Sequence, residues 1–151
     1  LMNEFRFLPE YIVPCRGNIV ACEEYGKKLS LDCNGETFFK IIIDGGAELC
    51  NSANRRCDFM IINDDESIEI YVELKGQDIV HAANQIIETI KKYGLDQAIK
   101  YSVIVTSSIP RNNTALQNVK LLLKKQTATI PFIKNRFIQL KYKEQKIEKT
   151  N

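Results

Sequence analysis

Two acids and a lysine stand at the ends of two adjoining apolar segments. Asp58 opens the run Phe59-Met60-Ile61-Ile62-Asn63, and Glu73 and Lys75 close the run that begins at Ile68. Between the two lies a polar turn, Asp64-Asp65-Glu66-Ser67. Both runs are rich in β-branched and aromatic residues and read as strands. A turn centred between residues 65 and 66 sets Asp58 directly across from Glu73, and directly opposed residues share a face of the sheet. Side chains two apart on a strand also share a face, so Glu73 and Lys75 go together while Ile68, Ile70, Val72 and Leu74 take the other side. A slip of one residue would separate the acids.

Two carboxylates held side by side repel each other. A hard divalent cation such as Mg²⁺ or Mn²⁺ relieves that repulsion, because it prefers oxygen ligands and leaves room for water and phosphate oxygens. Such a cation makes its water easier to deprotonate and stabilises charge on a scissile phosphate. Lys75 can position the attacking water or neutralise the developing charge. The expected chemistry is therefore metal-dependent cleavage of a phosphodiester. An Asp followed fifteen residues later by Glu-x-Lys is a weak pattern by itself. Its apolar surroundings, the glycine at Gly76 and the helix that follows give it weight.

The elements that must position these residues can be read along the chain. Residues 2–14 are expected to be an extended or short helical lead-in. Strands are expected over 18–24 and 28–33, with Tyr25-Gly26 as the turn between them. Asn34-Gly35 is the strongest short hairpin signal in the chain, and predicts pairing of 28–33 with the return strand 37–44. Gly45-Gly46 stops that strand, and residues 47–56 form a polar connection. Asp78 is a good N-cap for a helix whose apolar face is Ile79, Ala82, Ala83, Ile86, Ile87 and Ile90, with Gly94 at its C′ position. Lys100–Val105 reads as a buried strand parallel to a neighbour. Pro110 and Asn112-Asn113 mark a loop, 114–125 a helix, and 134–142 a last strand. Residues 143–151 are expected to fray. The order predicts one α/β or α+β domain over residues 1–151, built around a mixed sheet.

Composition excludes several classes. No apolar run reaches the roughly 20 residues that cross a bilayer, and no signal peptide is visible. A cytoplasmic protein without membrane association is the expectation. The five cysteines are an odd number without C-x2-C spacing, which argues against a zinc site and for reduced thiols. His81 is the only histidine. Residues 111–151 hold ten Lys/Arg against two Asp/Glu, whereas residues 1–110 hold eleven against seventeen. An acidic front with a basic tail suits a metal site beside a polyanion-binding surface, although surface lysines are also ordinary filler. Candidate phosphate contacts are His81, Lys120, Lys124, Lys125, Lys134 and Arg136.

At Asp58 and Glu73-Leu74-Lys75 the chain resembles the PD-(D/E)XK nuclease superfamily of restriction endonucleases, junction resolvases and repair exonucleases. That resemblance implies a restriction endonuclease-like αβββαβ core, a central mixed β-sheet flanked by helices, over about residues 37–105. It implies metal ligation by Asp58, Glu73 and the Leu74 backbone carbonyl, with Lys75 catalytic and Gln85, facing the site from the helix, as a further catalytic residue. It also implies a nucleic-acid substrate, with DNA the expected polymer, acted on by a homodimer or within a larger complex. Cys57 stands where the family's Pro would be. The family's further acid is not evident: Asp44, expected at the same sheet edge as Asp58, is the nearest candidate, with Glu48 of similar standing. The rival reading is a non-catalytic nucleic-acid-binding or assembly subunit of the same fold.

Overall fold

A computed structural model describes residues 6–15, 17–47, 56–76, 78–109 and 114–151. Expectations for Glu48, Cys50 and the Pro110–Asn113 loop fall outside the described residues, as does the side chain of Lys75. After a 3-10 turn at Pro9–Tyr11, the strands are β1 (Ile12–Pro14), β2 (Ile19–Glu24), β3 (Lys27–Asp32), β4 (Phe38–Ile42), β5 (Phe59–Asn63) and β6 (Ile68–Gly76). Helix α1 (Ile79–Tyr93), β7 (Ile99–Thr106), α2 (Thr114–Thr127), β8 (Phe132–Asn135), β9 (Phe137–Lys143) and β10 (Lys146–Lys149) complete the chain.

The strands form two mixed sheets. The larger has the order β1-β4-β5-β6-β7-β8, and the smaller β10-β9-β3-β2. In the larger sheet β4, β5 and β6 are a plain antiparallel meander, and β7 and β8 continue it in parallel. Each parallel step is bridged by a helix, because parallel neighbours need a long crossover. One face of this sheet packs on α1 and α2 through Ile41, Met60, Ile62, Tyr71 and Ile104. The other face, with Ile70, Val72 and Val103, packs on Leu29, Leu31, Ile138 and Leu140 of the smaller sheet. The result is a mixed α+β fold in three layers: helices, sheet, sheet.

This differs from an αβββαβ core in two respects. The run β4-β5-β6-α1-β7 has the expected βββαβ order, but among the described residues no α-helix precedes it. Helices flank only one face of the central sheet, since a second sheet occupies the other. The physical reason is non-local. Strand β3 pairs in parallel with β9, more than a hundred residues later, and no local pattern announces that partner.

Three further expectations are corrected. Asn34-Gly35 does turn with positive φ at both residues (50° and 87°), but it passes the chain from one sheet to the other. Strand β3 pairs with β2 and β9, and β4 with β1 and β5. The stretch 134–142 is split between sheets at Arg136, whose φ of 64° breaks the extended run. The tail does not fray: Glu144 and Gln145 both take positive φ, closing the tight β9–β10 hairpin and burying Ile147.

Helix α1 forms where expected. Asp78 caps it by accepting from the backbone of Val80 and His81, which satisfies two donors left orphaned at a helix start. Ile79, Ala82, Ala83, Ile86 and Ile87 are buried, and each isoleucine contributes roughly 1.5–3 kcal/mol by leaving water. Gly94 ends the helix with extended backbone rather than a left-handed turn. It is small for another reason: a Cβ there would meet the Ile90 carbonyl oxygen at 2.7 Å and the Tyr71 hydroxyl at 3.0 Å.

Candidate functional site

The β5–β6 register decides whether Asp58 and Glu73 meet. Phe59 lies opposite Val72, Met60 opposite Tyr71 and Ile61 opposite Ile70. One step further along the same register sets Asp58 across from Glu73. Both belong to the helix-covered face, in line with Met60 and Ile62 on β5 and Tyr71 on β6. Both are buried, Asp58 at 3% and Glu73 at 2% exposure. Two acids kept from water on one face of adjacent strands are costly unless something offsets their charge.

The backbone fixes Asp58 from three sides. Its Oδ2 accepts from the Leu74 N–H at 2.8 Å, and its carbonyl oxygen accepts from Ile43 N at 3.0 Å and Asp44 N at 3.3 Å. Asp44 therefore does lie beside Asp58 at the same sheet edge, half-buried. The Cys57 N–H donates to Thr89 Oγ1 at 2.9 Å, and Thr89 Oγ1 donates back to the Gln85 carbonyl. Gln85 Nε2 donates to the Arg56 carbonyl at 3.3 Å. Helix α1 thus grips the two residues before Asp58, and Gln85 is placed at the entry to β5. There its amide positions the strand that carries the acid.

A β-bulge marks the end of β6. Glu73 lies beside Ile104 but Gly76 beside Thr106, so β6 carries one more residue than β7 between these pairs. Bulges break strict alternation and re-aim backbone groups. This one falls on Leu74 and Lys75, the residues expected to supply a carbonyl and an ammonium group. The Leu74 side chain keeps its place in the core between the sheets.

The donor set fits a hard cation better than a soft one. Burial, with Glu73 and Asp58 nearby, pushes the Cys57 thiol up, which keeps it protonated and a poor ligand. Oxygen donors of Asp58 and Glu73 are left, with the Leu74 carbonyl adjacent in the chain. Among the described residues, however, no three of His, Cys, Asp and Glu gather as a metal-holding group.

The candidate phosphate contacts separate. Strands β6, β7 and β8 are parallel, so α1 and α2 both return from the Asp58–Glu73 end to the opposite end. His81, exposed in the first turn of α1, lies at the Asp58–Glu73 end. Lys134 is paired with Val105 on the edge strand β8, and Arg136 N donates to the Thr106 carbonyl; both lie at that end too. Lys120 is mid-way along α2. Lys124 and Lys125 lie in its last turn, at the far end.

Sequence reasoning overlooked Thr106. It is fully buried at the end of β7, on the face shared by Ile104, and its hydroxyl has no hydrogen-bond partner among the described residues. A threonine in a buried strand is unremarkable as sequence; only the strand pairing brings it beside Gly76. Comparison with known proteins adds no neighbour: no family model, curated protein or solved structure matches the chain.

Proposed function

We propose that the protein is a divalent-metal-dependent nuclease of the PD-(D/E)XK type, acting on DNA, with Asp58, Glu73 and Lys75 at its centre. The observation that carries this reading is the buried, register-matched pair Asp58 and Glu73, followed at once by a bulge at Leu74–Lys75. Asp58, Glu73 and the Leu74 carbonyl would hold Mg²⁺ or Mn²⁺. When bound, the cation supplies Lewis-acid stabilisation of the phosphate and a more acidic water. The chain's own part is orientation. The Leu74 N–H holds the Asp58 carboxylate, α1 fixes the approach to it through Thr89 and Gln85, and Lys75 contributes a positive charge two residues after Glu73. Asp44 is the nearest further acid.

The alternative is a nucleic-acid-binding or assembly subunit without catalysis. What supports it is that, among the described residues, Asp44 comes beside Asp58 without a metal-holding group of three forming there. One experiment separates the two. Purified protein is incubated with Mg²⁺ or Mn²⁺ and plasmid, linear or single-stranded DNA. The nuclease reading expects cleavage that falls by about 10²–10³-fold in Lys75→Ala and Glu73→Gln. Intact DNA with the wild type, or equal cutting by Lys75→Ala, overturns it. Metal-independent DNA retention, unchanged in Asp58→Ala, favours the binding module.

A further inference from the structure

Away from the acidic pair, two cysteines from different sheets converge. Cys15 follows β1 of the larger sheet, its N–H donating to the Phe38 carbonyl. Cys33 follows β3 of the smaller sheet, its N–H donating to the Asn18 carbonyl. Their sulfurs are 3.9 Å apart. A disulfide needs about 2.05 Å, so the two must close by less than 2 Å. Only weak bonds hold them where they are. Cys15 Sγ contacts the carbonyls of Gly17 and Ile19 at 3.4 and 3.2 Å, and Cys33 Sγ that of Leu31 at 3.8 Å.

The two thiols differ in access. Cys15 is partly exposed and lines a cleft of about 200 Å³ with Val13, Pro14, Ile19, Val20 and Lys40. Cys33 is fully buried behind it. Burial and the neighbouring Cys15 push the Cys33 thiol up to about 12. Burial likewise takes Cys22 to about 12 and raises Cys57. An incoming reagent therefore meets Cys15 first among the described cysteines.

We propose that Cys15 and Cys33 form a thiol–disulfide modification site, oxidised by low-molecular-weight disulfides, that staples the two sheets together. In the first step Cys15 Sγ, having lost its proton, attacks one sulfur of the disulfide RSSR. A Cys15–SR bond forms, the RS–SR bond breaks, and the leaving thiolate takes up a proton. In the second step Cys33 loses its proton and attacks Cys15 Sγ. The Cys15–Cys33 bond forms and the second RS⁻ departs and is protonated. Two protein thiols are oxidised by two electrons, and one RSSR is reduced to two RSH.

The test uses the full chain and oxidised glutathione as the disulfide. Expected are a mass loss of two hydrogens, a cross-linked peptide joining Cys15 to Cys33, and a melting temperature raised by roughly 5–10 °C, all reversed by dithiothreitol. Cys33→Ser should stop at a glutathione adduct on Cys15, and Cys15→Ser should leave Cys33 unmodified. Should either variant fail to fold, the wild-type peptide map decides alone. A wild-type product that stays as the Cys15 adduct, a cross-link to another cysteine, or no reaction at all overturns the proposal.

Discussion

Among the described residues Glu69 is the most buried acid, fully shielded from water, and both of its carboxylate oxygens are hydrogen-bonded. Its carboxylate accepts from Arg6 Nη2 and the Tyr71 hydroxyl at 2.8 Å and from Leu95 N at 3.1 Å, with Lys100 Nζ at 3.4 Å. Two cations and two neutral donors offset its desolvation, and Lys100 also donates to the Leu95 carbonyl. This is a structural charge cluster at the end of β6 opposite Glu73, tying the lead-in to the α1–β7 connection. Removing the acid takes from Arg6 and Lys100 the buried counter-charge they share. Glu69→Ala is therefore expected to lower stability by about 3–5 kcal/mol, measured by urea denaturation, while Mn²⁺ affinity measured by titration on the folded variant stays unchanged. An equal loss of metal affinity would show that the two ends of β6 act as one site. Sequence could not rank these acids: Glu69 and Glu73 share a face in one strand, and only their neighbours distinguish them.

The β5–β6 hairpin sets the whole geometry of the acidic pair, so what fixes its turn matters. Asn63 does most of this. It is buried, its Oδ1 accepts from Ile68 N at 2.9 Å, and its Nδ2 donates to Ser67 Oγ at 2.8 Å. Asp65 adds a further bond, accepting from Ser67 N at 3.1 Å, and the Ser67 hydroxyl, with this backbone N–H, holds its carboxyl below the usual value. Asn63→Ala leaves a buried N–H without its acceptor and should cost about 1–3 kcal/mol, read from the shift of the denaturation midpoint. If the turn is what holds register, a Leu substitution that restores bulk without the amide should not recover that loss. This hairpin was legible in sequence because both its strands are rich in β-branched and aromatic residues and its turn is short. The Asn34-Gly35 turn had a stronger local signal, and its backbone conformation was read correctly, but turn chemistry does not say which strands pair. The β9–β10 hairpin was hidden for the opposite reason: Glu144 and Gln145 adopt positive φ with no glycine to announce it.

At the scale of the whole molecule, parallel strands impose a direction on everything between them. Because β6, β7 and β8 run the same way, both helices deliver their C-terminal lysines to the end remote from Asp58 and Glu73. Thr129 Oγ1 donating to the Lys100 carbonyl at 2.7 Å marks that remote end for α2, and Leu95 N on Glu69 marks it for α1. The net basic charge of residues 111–151 is thus not one patch. Lys134 and Arg136 reach the acidic end, Lys134 from the sheet's other face in line with Val105, while Lys124 and Lys125 lie a helix length away. If DNA is cut at Asp58 and Glu73, its backbone passes the end of the sheet that carries the first pair of cations and need not touch the second. Each lost phosphate contact weakens binding uniformly across sequences and lowers the slope of log K against log salt by about 1. Lys134→Gln with Arg136→Gln should therefore reduce that slope by about 2, measured by fluorescence anisotropy across a salt series, whereas Lys124→Gln with Lys125→Gln should leave it within error. The reverse result would move the nucleic acid to the Glu69 end of the sheet and detach binding from the acidic pair.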